Sequence, residues 1–440
     1  MSEATTELDH RHLWHPFTQQ RDWCEEEQVV IERAEGTDLV DVDGRRYIDG
    51  VSSLWCNVHG HRHPLIDQAL RDQLGRVAHS TMLGLTHPGA AELAARLVEL
   101  APPGLERVFY SESGSTAVEI ALKMAFQYWR QREGEQCRRT SFVCLTDGYH
   151  GDTIGSVSVG GIDLFHGAFG PLLFKTYRVD PGDERRLERV LELHAREIAA
   201  VVVEPLVQGA AGIRVQPPGF LRRVRELTEE HGVFMIADEV ATGFGRTGTM
   251  FACEQERVAP DFLCLGKGLT GGYLPLAATI TSERVYEGFL GAAEQYRTFF
   301  HGHTFTGNPL GCSAALASLE VFRTEQTLLR LQPKIRLLGE LLGEVAAMPE
   351  VAEVRGRGFM VGIDMGRHDP ALRLGHRVTL AARERGAIIR PLGDTVVLMP
   401  PLAISKADLG RLVEIAADSI AAAWQSAYGI DEPVQLRAAA

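Results

Sequence analysis

The sequence predicts an α/β protein in which a mostly parallel β-sheet fills a large domain and the two ends of the chain build a smaller α+β domain. Three observations carry that expectation. Short β-branched runs alternate with helix-length amphipathic stretches through the middle of the chain. Polar and charged residues follow those runs instead of interrupting them, as they do where ligands gather beyond the carboxyl ends of parallel strands. A separate segment near the N-terminus alternates apolar and polar residues around a turn dipeptide.

That first segment, residues 28–48, reads as a small antiparallel sheet turning at Asp43-Gly44. From about residue 64 helical periodicity is broken by VFYS near 108, SFVCLT at 141, AAVVVEP at 199, VFMIADE at 233 and FLCLG at 262, five strands covered on both faces. After about residue 325 come a long helix, two short strands (VAEVRG and FMVGID), and helices flanking AIIRPLGDTVVLMPP. The expected division is an N-terminal segment, 1–63, a large domain, 64–325, and a C-terminal segment, 326–440, that folds back beside the N-terminal sheet.

Composition narrows the function classes. The 440 residues are 45% hydrophobic and 23% charged, which suits a folded protein with a sizeable core and not a disordered or fibrous chain. A net charge of −13 argues against nucleic acid and anionic membrane as partners. Seven scattered cysteines form no CxxC pair, so neither a disulfide framework nor a zinc knuckle is expected, and the cytoplasm is the expected location. The first residues, MSEATTELDHRHLWHPF, contain no apolar export signal, and no run of eighteen apolar residues occurs.

The five strand ends carry the chemistry. Asp238 closes FMIAD, and Lys267 lies between glycines in CLGKGLTGG. A lysine amine condenses with the aldehyde of pyridoxal phosphate, and a carboxylate keeps the pyridine nitrogen protonated so that the ring withdraws electrons. Such an ion pair is worth about 4 kcal/mol at 4 Å and an effective dielectric near 20; pairing of Asp238 with an arginine is the alternative. Deprotonation of Lys267 requires desolvation or cofactor linkage, and once released it is the base that moves the Cα proton. Ser113-Gly114-Ser115-Thr116 opens the helix AVEIALKMAFQYW, whose free amides suit a phosphate; an ordinary N-cap is the other reading. Tyr149, after the Asp147-Gly148 turn, is placed to stack on a pyridine face or to pack in the core. Gln208, four residues past Glu204, is within reach of the cofactor's phenolic oxygen or is a satisfied loop amide. Arg390 is a lone cation between apolar runs, suited to a substrate carboxylate or to a structural ion pair.

Competing motifs fail. A P-loop requires glycine and Ser/Thr where the chain has Asp261 and Gly268. Gly243 to Gly248 matches GxGxxG, but no convincing helix start follows it. The histidines of HGHRH and HGH lack carboxylate or cysteine partners at ligand spacing, so no metal is expected.

MIADEVATGFGRTG followed by PDFLCLGKGLTGGYLPL resembles the class III, fold-type I aminotransferases, and the likeness runs from HLWHPFT to RPLGD. HLWHPFT, SSLWCNVHGHRHP, DGYHGDTIG and FFHGHTF are most similar to the branch of that family that converts 8-amino-7-oxononanoate to 7,8-diaminononanoate in biotin biosynthesis. The resemblance implies that Lys267 holds pyridoxal phosphate, Asp238 binds its pyridine nitrogen and Tyr149 flanks the ring. It implies that Gly114 and Ser115 take the phosphate and Gln208 the phenolic oxygen. Phe17 and Trp55 would wall the substrate pocket and Arg390 would take the acceptor carboxylate. Gly302 and Thr304 would reach across from a partner in a homodimer with shared sites.

The donor stays open at this level. The family's usual donor is S-adenosylmethionine, and its members commonly carry tyrosine where this chain has Phe17 and proline where it has His303. A branch using L-lysine resembles the chain better there, and an aromatic wall of Phe17 and Trp55 accepts either an adenine ring or a lysine ammonium. Another ω-aminotransferase, an aminomutase, and a regulator that merely binds pyridoxal phosphate are the alternatives.

Overall fold

Residues 2–429 are described by the structure, a computed structural model. The alternating N-terminal segment folds into an antiparallel meander of β1 (Ile31–Glu35), β2 (Asp38–Asp41) and β3 (Arg46–Asp49). Its β2–β3 turn places Gly44 at φ 83°, a conformation open to glycine and strained for most residues.

The central segment supplies β4 (Arg107–Ser111), β5 (Ser141–Leu145), β6 (Thr176–Val179), β7 (Ile198–Val203), the two-residue pair β8 (Val207–Gln208) and β9 (Arg214–Val215), then β10 (Phe234–Asp238), β11 (Phe262–Leu265) and β12 (Ala277–Thr281). Seven of these form one sheet in the order β4-β12-β11-β10-β7-β5-β6. Only β12 runs antiparallel to its neighbours, so the carboxyl ends of β4, β5, β7, β10 and β11 meet at one edge. All five sequence-predicted strands are present. The sequence reading had not anticipated β6 and β12.

The all-apolar run of β7 is buried at every position because both faces of the sheet are covered. Val201 and Val203 face the larger core, with Leu187 and Leu191 of helix Glu184–His194 and Val224 and Leu227 of helix Phe220–Glu230. Ala200 and Val202 face Ile120, Ala121 and Met124 of helix Gly114–Arg130. Each such buried aliphatic contributes about 1.5–3 kcal/mol, so the helix whose first turn opens at the strand ends is anchored along its length.

The C-terminal segment adds β13 (Glu353–Arg357), β14 (Met360–Asp364), β15 (Ala387–Ile388), β16 (Arg390–Leu392) and β17 (Thr395–Leu398). β15 pairs in parallel with β3, so the two ends of the chain share a sheet. The GxGxxG segment is a series of turns and opens no helix. Its Arg246 is buried and donates to the carbonyls of Asn57 (2.8 Å), Met399 (3.3 Å) and Pro400 (2.6 Å), stitching the large sheet to both terminal segments.

Candidate active site

Each reactive side chain leaves the sheet at the end of a strand. Asp238 terminates β10 and is buried; its Oδ2 lies 2.7 Å from His150 Nδ1, and its Oδ1 accepts from the Val240 amide at 3.0 Å. Among the described residues no arginine pairs with it. A carboxylate offers about four acceptor positions, so Asp238 keeps capacity for a further N–H donor from the cleft. Burial opposes charge on His150, but the Asp238 hydrogen bond and the nearby Glu204 outweigh it and raise its pKa.

Glu204 follows β7 and is also buried. Its two oxygens accept from the amides of Tyr149 (3.0 Å) and Gly209 (2.9 Å), joining the loops after β5 and β7. Desolvation, with Asp238 adding to it against the pull of His150, pushes its carboxyl up to about 7. Tyr149 donates its hydroxyl to Asp152 Oδ2 at 2.8 Å, which fixes the ring at the mouth of the cleft; burial and this carboxylate raise its pKa.

Lys267 follows β11 at φ 38°, held in the left-handed region between two glycines. Among the described residues its Nζ makes no hydrogen bond or ion pair; it faces the Trp55 ring at 4.7 Å from the centroid. Desolvation lowers its pKa, with Asp238 and Glu204 opposing, so the neutral amine is reached at lower pH than for a surface lysine. Trp55 is itself at φ 64° in a segment where Ser52 and Ser53 also have positive φ, and its Nε1 is buried without a partner.

At the head of helix Gly114–Arg130 the Ser113 hydroxyl accepts from the Thr116 amide, so the helix is capped. The cap leaves the amides of Gly114 and Ser115 without acceptors among the described residues, the usual state of a helix's first turn. A Cβ on Gly114 would come within 2.4 Å of Val240 Cγ1, so only glycine lets the backbone lie this close to β10. The segment is an N-cap, and its first amides remain open among the described residues.

Gly114, Ser115, Trp55, Tyr149, Asp238 and Lys267 border one cavity of about 230 Å³. A second, of about 260 Å³, adjoins it at Ser113 and Lys267. The other sequence-predicted residues lie elsewhere. Gln208 is wholly buried behind the cleft; its Nε2 donates to the Thr146 carbonyl at 2.8 Å and its Oε1 has no partner. Phe17 is exposed and meets Phe165 edge-on at 5.4 Å. Gly302 and Thr304 are exposed in the segment between Phe300 and Phe305, both also exposed. Arg390, at the start of β16, is partly buried, makes no ion pair or hydrogen bond among the described residues, and has its pKa lowered by desolvation; it is close enough to Tyr149 to couple with it electrostatically.

His150 and Glu204 were not assigned roles from sequence, and neither has a local signal: their partners lie 88 and 55 residues away. The histidines that raised a metal have protein partners: His59 meets Ser318, His61 meets Asp49 and Asn57, and His63 meets Glu325.

Residues 21–420 match the family model described as aminotransferase class-III. The chain belongs to the class-III aminotransferases. It is 57% identical to the adenosylmethionine-8-amino-7-oxononanoate aminotransferase of Nitratidesulfovibrio vulgaris, over 96% of this chain and 82% of that protein. It is 50% identical to the protein of the same name from Geobacter sulfurreducens, over 94% and 96% of the two chains. The crystal structure of the Methanocaldococcus jannaschii protein of that name superposes with a TM-score of 0.94 at 42% identity, covering 96% of this chain and 99% of that one. An amine transaminase from an uncultivated Pseudomonas species, solved in its PLP-bound form, superposes at 0.87 with 36% identity over 94% and 99%. As a class-III aminotransferase the chain is a fold-type I enzyme that moves amino groups.

Proposed function

We propose that this aminotransferase uses pyridoxal phosphate to move an amino group from S-adenosylmethionine to 8-amino-7-oxononanoate, giving 7,8-diaminononanoate for biotin synthesis. The observation that carries the reading is the juxtaposition of an unpaired, desolvated Lys267 with the buried Asp238–His150 pair in one cleft. The names of relatives 50–57% identical over nearly the whole chain support the acceptor and the donor.

The residues present fit the cofactor. The open amides of Gly114 and Ser115 suit its phosphate, and Asp238 has acceptor capacity left for a ring N–H. Bound there, pyridoxal phosphate supplies an aldehyde that exchanges amines and a ring that withdraws electrons. His150 holds Asp238 in place. Lys267, its pKa lowered by burial, would take the proton of the donor Cα at Nζ and deliver it to the carbon on the far side of the imine nitrogen, the 1,3-shift that transamination requires. Tyr149, fixed by Asp152, would flank the cofactor ring and limit water there. Gln208 stays the proposed partner of the phenolic oxygen, because its Oε1 is free among the described residues to accept a hydrogen bond.

Arg390 is the group for the acceptor's distant carboxylate, because an unpaired guanidinium at a half-buried position is satisfied by one bidentate anion. Gly302 and Thr304 complete the site from a second copy of the chain, and the exposed Phe300 and Phe305 beside them give such a homodimer an apolar contact. The same proposal includes the division at 1–63, 64–325 and 326–440 and a cytoplasmic location; among the described residues no helix is long and apolar enough to cross a membrane.

The test supplies purified, cofactor-loaded protein with the oxoacid and either S-adenosylmethionine or L-lysine and measures diamine. Diamine from S-adenosylmethionine is expected. Diamine only from lysine overturns the donor, and no diamine from either, with amine exchange from ornithine or γ-aminobutyrate instead, overturns the acceptor.

A further inference from the structure

The segment that carries Phe17 is tied down by groups remote from the strand ends. Asp9, on helix Ser2–His12, accepts from the Trp23 indole Nε1 at 2.8 Å and lies 2.9–3.0 Å from His15 Nε2 through both its oxygens. The His15 and Trp23 rings are 4.2 Å apart. Gln20 Nε2 donates to the carbonyls of His15 and Thr18 at 3.0 Å each, closing the turn from the other side. Within that turn Phe17 sits at φ 51°, a conformation that a phenylalanine holds only when its surroundings impose it.

The imposed turn aims Phe17 at one place. Its ring meets Phe165 edge-on at 5.4 Å, and Phe165 meets Tyr149 edge-on at 6.3 Å. Three rings from two distant parts of the chain therefore run from the rim to the cleft wall. Phe165 stands beside His166, which is buried with neither ring nitrogen partnered among the described residues, and the amides of both residues donate to the Ile162 carbonyl at 3.0 Å, which holds this turn.

We propose that Asp9 is a positioning residue and Phe165 a specificity-determining one: the Asp9–His15–Trp23 latch holds Phe17 against Phe165, and the two rings form the wall on which a cationic amino donor rests. Aromatic faces attract such cations, and an edge-on pair leaves both faces of one ring and the outer face of the other uncovered by its mate. The inference rests on the aminotransferase reading and deepens it, since it concerns the donor alone. The oxoacid has no need of this wall; its charged end is assigned to Arg390.

The experiment uses full-length, cofactor-loaded protein with whichever amine and oxoacid the wild type turns over, so a wrong acceptor does not touch it. Steady-state constants are compared for wild type, Asp9→Ala, Asp9→Asn, Phe165→Ala and the milder Phe165→Leu, with hydrogen exchange followed over residues 13–25. Loss of one charged hydrogen-bond anchor or one aromatic face is expected to raise donor KM about five- to tenfold. The oxoacid KM and kcat stay within about twofold, as for lost uniform binding. Asp9→Asn, which retains one acceptor oxygen, falls between wild type and Asp9→Ala, and exchange accelerates only in the Asp9 variants. Faster exchange with unchanged donor KM overturns the proposal, as does an equal rise in both KM values. A wild type that no amine converts removes the aminotransferase reading itself, a result read before any variant is made.

Discussion

Asp238 is buried at the end of a central strand and fixed through both carboxylate oxygens, whereas Thr304 lies exposed in a turn with no side-chain partner among the described residues to orient it. The contrast extends to their neighbours. Gly114, Tyr149, His150, Glu204 and Lys267 share the sheet's carboxyl edge with Asp238, while Phe17, Gly302 and Arg390 come from segments outside that sheet. The proton-handling half of the site is thus set by one rigid element. The recognition half depends on segments that the sheet does not hold, which is where members of one family can differ in substrate while keeping the chemistry.

The largest effect expected from breaking the inner half is at Lys267. Lys267→Ala should slow amine exchange by more than about 1,000-fold in single-turnover absorbance measurements, since no other amine borders the cleft. Asp238→Asn should follow at about 100-fold, and His150→Ala at about tenfold, because the histidine acts only through the carboxylate. A His150→Ala loss as large as that of Asp238→Asn would show that the pair acts as one unit.

At the rim, Arg390→Ala should raise the oxoacid KM about 10- to 100-fold with little change in kcat, the pattern of a lost carboxylate contact. A fall in kcat instead would move Arg390 into the inner half. Phe17→Tyr should change either donor's KM by no more than about threefold, because the ring and its edge-on contact remain.

Glu204 gives the comparison a pH signature. Its folded-state pKa, about 7, exceeds the ordinary 4.5, so the folded protein favours the protonated acid. The stability this contributes is complete below about pH 4.5 and is lost as pH rises through about 7. His150, raised by Asp238, changes in the same direction, its contribution fading as pH climbs past its folded pKa. Glu204→Gln cannot titrate, so its melting temperature relative to wild type should rise between pH 5 and pH 8, by an amount on the order of 3 kcal/mol in stability at most. A constant difference across that range would mean that Glu204 is charged in the folded state.

The inner half was largely legible in the sequence, and for a physical reason. A parallel strand buried on both faces must be apolar throughout, so the residues that end it, Asp238 after FMIA and Lys267 after FLCLG, stand out. β6 and β12 were missed because TYRV is a half-exposed edge strand and AATIT is too small and mixed to show a period. His150 and Glu204 escaped assignment because their roles arise from contacts between strands that chain order does not reveal. Gln208 lies four residues past Glu204 as the sequence says, but the turn into β8 sets it behind the cleft wall, a direction that spacing does not encode.

The most direct measurement is reduction with borohydride of the protein loaded with pyridoxal phosphate, followed by digestion and mass spectrometry. The account predicts the cofactor's mass on the peptide containing Lys267, and no labelled peptide from Lys267→Ala. A label on a different lysine, or wild-type protein that takes none, would contradict it.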